Sequence, residues 1–182
     1  MSNLKRRMER NELFMAEANE LASTQIDDMV NVVREILDIS YLAYGNLLEL
    51  GVLSLGPMQC FDSLDTLTYY CDFQRYQYTF FDWGRLLIKQ PIKAFLQNNE
   101  YDMQLRASIS ILQGCCVYLM SIIGNHGLDN LFGIIHNSNM EKLWPDKRPR
   151  FDPKRPYVII KPGGWVSPQN VLEAKMRSLG RE

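Results

Sequence analysis

From Ile109 to Ile123 the chain reads ISILQGCCVYLMSII, fifteen residues without a charge. A membrane span needs roughly 20 apolar residues, and an isolated strand is far shorter than this run. The reading that remains is the second half of a long helix, Tyr101 to Ile123, apolar nearly all round. A helix of that kind must be wrapped by amphipathic neighbours. The expected fold is therefore mostly α, a helical bundle around a central buried hydrophobic helix. With 46% hydrophobic residues in 182, the chain can bury such a core as one domain.

The flanking segments supply the neighbours. Leu4 to Leu21 is a charged, Ala- and Glu-containing stretch suited to a surface helix. Ser23 or Thr24 then offers an N-cap, with Asp27 and Asp28 in the first turn where the helix dipole favours them. Ile26, Met29, Val30, Val33, Ile36, Leu37, Tyr41, Tyr44, Leu47 and Leu48 follow at steps of three and four, one apolar face ending at Gly51 and Gly56-Pro57. Met58 to Tyr78 fits a helix, although alternation at Tyr76, Tyr78 and Phe80 also fits a short strand. Trp83 to Leu96 reads as a helix interrupted near Pro91. Gly124-Asn125 stops the long helix and Leu128 to Ile135 starts a short one.

Composition changes after Met140. Six of the eight prolines fall at or beyond Pro145, which forbids helix and favours extended backbone. The chain thus divides into a helical bundle, 1–140, and a Pro- and aromatic-rich arm, 141–182, with a possible short helix from Gln169 to Leu179. Between Glu141 and Lys161 there are seven Lys/Arg against three Asp/Glu, and Lys147, Arg148, Arg150, Lys154 and Arg155 are the residues through which nucleic acid would be touched. The formal net charge of −1 gives no bulk attraction of that kind.

No enzyme signature stands out. The chain has no G-x-S-x-G, H-E-x-x-H, G-x-x-x-x-G-K-[ST] or C-x-x-C. His126 and His136, the two histidines, are not at metal-ligand spacing, and Cys115-Cys116 sits where an apolar setting keeps thiols inert. Asp62 and Asp65 share a helical face as surface carboxylates commonly do. The expectation is a non-enzyme with no cofactor and no metal site. Four cysteines that make no disulfide framework, no signal-like leader and no membrane span lead to the expectation of a reducing compartment, cytoplasm or nucleus.

The aromatic cluster YYCDFQRYQYTFFDW, Tyr69 to Trp83, ends in Trp83-Gly84-Arg85. Glycine allows close approach of another backbone, and arginine offers a planar fork for a carboxylate. FFDWGRLL, Phe80 to Leu87, resembles the first homology motif of the Bcl-2 family of apoptosis regulators, with Asp82 where that motif has Asn. IIGNHGLDNLF, Ile122 to Phe132, resembles the second, with Leu128 in place of Trp. The resemblance implies a groove protein that captures an amphipathic death-motif helix, with Trp83, Gly84, Arg85, Asn125, Gly127 and Asp129 meeting the partner. The alternative is a viral or multi-subunit assembly protein that docks its arm on a neighbour through Trp144, Phe151, Tyr157 and Trp165, since interface energy concentrates in such residues.

Overall fold

The computed structural model describes residues 3–25, 27–52, 88, 91–93, 96–97, 100–123 and 127–179. The described elements run α1 (Asn3–Ser23), α2 (Met29–Glu49), α3 (Tyr101–Ile123), α4 (Leu128–Glu141), β1 (Arg150–Asp152), β2 (Arg155–Ile160) and α5 (Gln169–Ser178). The mostly helical bundle expected from periodicity is observed. The expected helix from Met58 to Tyr78, the alternative strand at 76–80, and Trp83, Gly84, Arg85 and Asn125 lie outside the described residues.

α1 and α2 form a helical hairpin. The side chain of Asp28 caps α2 by accepting from the Asn31 backbone N–H at 3.1 Å. This corrects the expected cap at Ser23 or Thr24. Those hydroxyls donate backwards instead, both to the Glu20 carbonyl, at 2.9 and 2.8 Å, and so finish α1. Local side-chain hydrogen bonds of this kind compete at every Ser, Thr or Asp near a helix end, and spacing alone does not rank them.

α2 packs against α1, α3, α4 and α5. Its residues Val32, Val33, Ile36, Leu37, Ile39, Ala43 and Leu47 are buried, together with Phe14 and Leu21 of α1 and Ile111, Leu112, Cys115, Tyr118 and Leu119 of α3. The bundle's centre is thus shared between α3, whose apolar run demanded burial, and α2. A buried hydrogen bond ties the two, from Asn46 Nδ2 to Ser108 Oγ at 2.8 Å. Such a pair fixes helix register, because an unpaired amide there would cost roughly 1–3 kcal/mol. Tyr41 and Tyr44 stack on Phe132 at 5.9 and 5.2 Å and join α2 to α4.

The carboxy-terminal segment beyond α4 folds onto this bundle. β1 and β2 pair as an antiparallel hairpin, and β2 lies against α1. α5 packs on α2 and α4, with Leu172 and Met176 entering the core. The short helix expected from Gln169 to Leu179 is α5, Gln169–Ser178.

Candidate active site

Glu17 and Glu20 stand three residues apart on α1, and Glu35 and Asp38 repeat that spacing on α2. Residues three apart share one helical face, so each helix presents a carboxylate pair. The hairpin turns these faces toward one another. One carboxylate oxygen each from Glu17, Glu20 and Glu35 lies within 4.8 Å of the other two. Arg34 donates to Glu35 Oε1 through Nε at 3.1 Å and also through Nη2. Glu35 is only 2% exposed, and its other oxygen, Oε2, has no hydrogen-bond donor among the described residues.

The electrostatics of this cluster are unfavourable as they stand. Burial, reinforced by the charges of Asp38, Glu20 and Glu35, pushes the Glu17 carboxyl up to about 8. Burial likewise raises Asp38 to about 6, with Glu35 and Glu20 adding to the shift. Glu35 is raised by burial and by Glu20, against the opposing pull of Arg34. Folding stability does not reward several acids held together in this way. A divalent cation would.

The donor set fits one. Mg²⁺, Mn²⁺ and Ca²⁺ prefer carboxylate oxygens, and oxygens on opposite sides of such an ion are roughly 4–5 Å apart. Glu17, Glu20 and Glu35 have that chemistry and separation. Asp38, one turn beyond Glu35 on the same face, is a fourth oxygen donor within electrostatic reach. The cluster borders an open polar pocket of about 270 Å³ lined in part by Glu20, Ser23, Thr24, Asn31, Arg34 and Glu35.

Residues 2–66 match the family model of phosphoribosyl-ATP pyrophosphohydrolase. That span is about a third of the chain, and it contains all four carboxylates. No curated protein and no solved structure matches.

The match overturns three expectations. The family it points to is a pyrophosphohydrolase family, so the resemblance to Bcl-2 regulators is corrected. So is the expected non-catalytic role, whether as an apoptosis regulator or as a viral or assembly protein. The expectation of a non-enzyme rested on absent nucleophile, zinc and P-loop signatures, none of which a carboxylate-held cation requires. The missed signal was in plain view as E-x-x-E on one helix and E-x-x-D on the next. Read singly, each pair looks like the solvated face of a surface helix.

Of the residues expected to meet a partner, the described ones are not members of the carboxylate group. Gly127 begins α4 with φ 101°, and a Cβ there would sit 3.0 Å from Leu179 Cδ1, so it serves a tight turn. Asp129 follows in the first turn of α4. Trp144 donates from Nε1 to the Ile160 carbonyl at 3.2 Å, and Trp165 from Nε1 to the Ser138 carbonyl at 3.2 Å. Phe151 is exposed on β1, and Tyr157 lies on β2. Arg150 and Arg155 pair with Asp146 at 2.9 Å and Asp152 at 3.1 Å, while Lys147, Arg148 and Lys154 are exposed. Cys115 is free and buried, its thiol pushed up to about 12 by burial, as expected of an inert cysteine.

Proposed function

We propose that the chain is a divalent-cation-dependent pyrophosphohydrolase acting on a nucleotide. The observation that carries this reading is the convergence of Glu17, Glu20 and Glu35, with Asp38 beside them, inside the segment that matches the pyrophosphohydrolase family. That family is named for phosphoribosyl-ATP. For this chain the reading is the broader class, a nucleotide carrying a pyrophosphoryl group.

Glu17, Glu20 and Glu35 would hold the cation, whose charge offsets that of the phosphates and favours ionisation of a water. Arg34 fixes the Glu35 carboxylate through Oε1 and leaves Oε2 without a hydrogen-bond donor among the described residues. The open pocket beside Arg34 and Asn31 gives the nucleotide its entry. In the hydrolysis, a water oxygen bonds to the α-phosphorus as the bond to the α–β bridging oxygen breaks. The products are a nucleoside monophosphate and pyrophosphate, and the water proton passes to solvent. Among the described residues no helix is long and apolar enough to cross a membrane. Free, buried Cys115 suits a reducing compartment, cytoplasm or nucleus.

The test is hydrolysis of a nucleotide panel that includes phosphoribosyl-ATP and ATP, with Mg²⁺ or with EDTA. Activity should require the cation and fall on the order of a thousandfold in Glu35→Gln. Cation-independent activity, or an unaffected variant, would refute the reading.

A further inference from the structure

The segment beyond α4 brings two cations to one aromatic plate near the acidic cluster. Lys142, the residue after α4, has its Nζ 5.8 Å from the centroid of the Trp165 ring, and Lys161, the residue after β2, has its Nζ 3.9 Å from it. Trp165 is held by its Nε1 bond to Ser138 and by its backbone N–H, which donates to the Pro162 carbonyl at 3.1 Å. Gly164, at φ 91°, makes that turn possible. β2 packs on α1, the helix that carries Glu17 and Glu20.

The two ammonium groups are not closed off by ion pairs. Among the described residues neither forms a salt bridge, and Lys142 Nζ donates to Asn139 Oδ1 at 2.7 Å. Burial lowers the Lys142 ammonium, and Lys161 and Arg34 lower it further, whereas Asp38 and Glu17 oppose the shift. Lys142 therefore lies within electrostatic reach of the proposed cation ligands on one side and of Lys161 on the other. Like charges gathered at one place are relieved by a shared anion. A phosphate chain anchored at the acidic centre has its free end to place, and this pair is a cationic wall near at hand.

We propose that Lys142 and Lys161, positioned by Trp165, form a clamp for the pyrophosphoryl end of the nucleotide. The proposal rests on the pyrophosphohydrolase reading and names the residues that bind the leaving group. Both lysines lie outside the segment that matches the family. Lysine suits the task as a compact point charge for phosphate oxygens.

The experiment uses the full chain and three probes, inorganic pyrophosphate, ATP and AMP, with binding measured by calorimetry in Mg²⁺ and in EDTA. Wild type is compared with Lys142→Met, Lys161→Ala and Lys142→Arg, and melting temperatures confirm that each variant folds. Pyrophosphate and ATP should bind about tenfold more weakly, or worse, in the first two variants. Lys142→Arg should recover most of the loss, and KM should rise more than kcat falls. AMP should bind equally to all. Unchanged pyrophosphate affinity, or an equal loss for AMP, would overturn the clamp. If no nucleotide is hydrolysed but pyrophosphate binding still depends on both lysines, the enzymatic reading falls and the anion site stands. If hydrolysis is robust and KM is unaffected in both variants, the clamp falls and the enzyme stands.

Discussion

The α1–α2 hairpin and the β1–β2 hairpin both carry dense charge, but they handle it in opposite ways. On the β-hairpin the charges are exposed and locally neutralised, Arg150 by Asp146 and Arg155 by Asp152. Pairs of that kind contribute little, roughly 0–1 kcal/mol. On the α-hairpin Glu17, Glu20, Glu35 and Asp38 gather beside Arg34, with Glu20 exposed, Glu17 and Asp38 half-buried and Glu35 buried. Glu35 is buried with Arg34 as its salt-bridge partner, and Glu17 is driven up to about 8. The first arrangement is what a stable surface looks like. The second stores unfavourable energy that a bound cation would release, and it lies where the chain matches a pyrophosphohydrolase family. Where charge is costly for folding, function is the better explanation.

The contrast can be broken first in the core that supports the α-hairpin. Ile111 is fully buried on α3, which packs against α2. Ile111→Ala should cost about 2–5 kcal/mol in denaturant unfolding. Cation affinity measured well below the unfolding midpoint should stay near wild type, since Ile111 belongs to α3 and the carboxylates to α1 and α2. A variant that folds stably yet loses the cation would show that site and core are not separable.

A smaller effect is expected from pH. Glu17 and Asp38 are raised on folding, so the folded state holds more protons than the unfolded state between the unfolded carboxylate range and about 8. Their contribution to the stability of the cation-free protein is therefore fully present below that range and is lost as pH rises toward 8. With partial solvent screening the loss should be on the order of 1 kcal/mol. Saturating Mg²⁺ should flatten the dependence, as calorimetric melting at pH 5 and pH 8 will show. Stability that rises with pH in EDTA would contradict the crowding.

The smallest effect belongs to the β-hairpin. Arg155→Ala removes an exposed partner of Asp152 and should shift stability by less than about 1 kcal/mol, with activity unchanged. A larger loss in either would mean that the hairpin's charges are not merely local.

These two regions also divide what could be read from the sequence. Helical periods placed α2 and α3 well, because burial of Val33, Ile36, Ile111 and Leu112 is written as spacing along one segment. Proline placed the arm, because its effect on the backbone is local. The site was not legible in the same way. Along the chain its four acids look like an ordinary surface pair on each of two helices, and only the packing of α1 on α2 brings the pairs together. Trp83-Gly84-Arg85 is the more conspicuous feature of the sequence, since rare residue types stand out and Glu does not. Lys142 and Lys161 are inconspicuous for the same reason, as members of a basic stretch in which most cations, Lys161 included, are exposed.

The central claim is that the facing carboxylates form the centre of a pyrophosphohydrolase, and the position of bond cleavage tests it most directly. Hydrolysis of a cleaved nucleotide in ¹⁸O-enriched water with Mg²⁺, followed by ³¹P NMR, should place the label in the nucleoside monophosphate and leave the pyrophosphate unlabelled. Glu35→Gln should abolish both products. Release of orthophosphate, label in the pyrophosphate, or turnover that survives in Glu35→Gln would contradict the account.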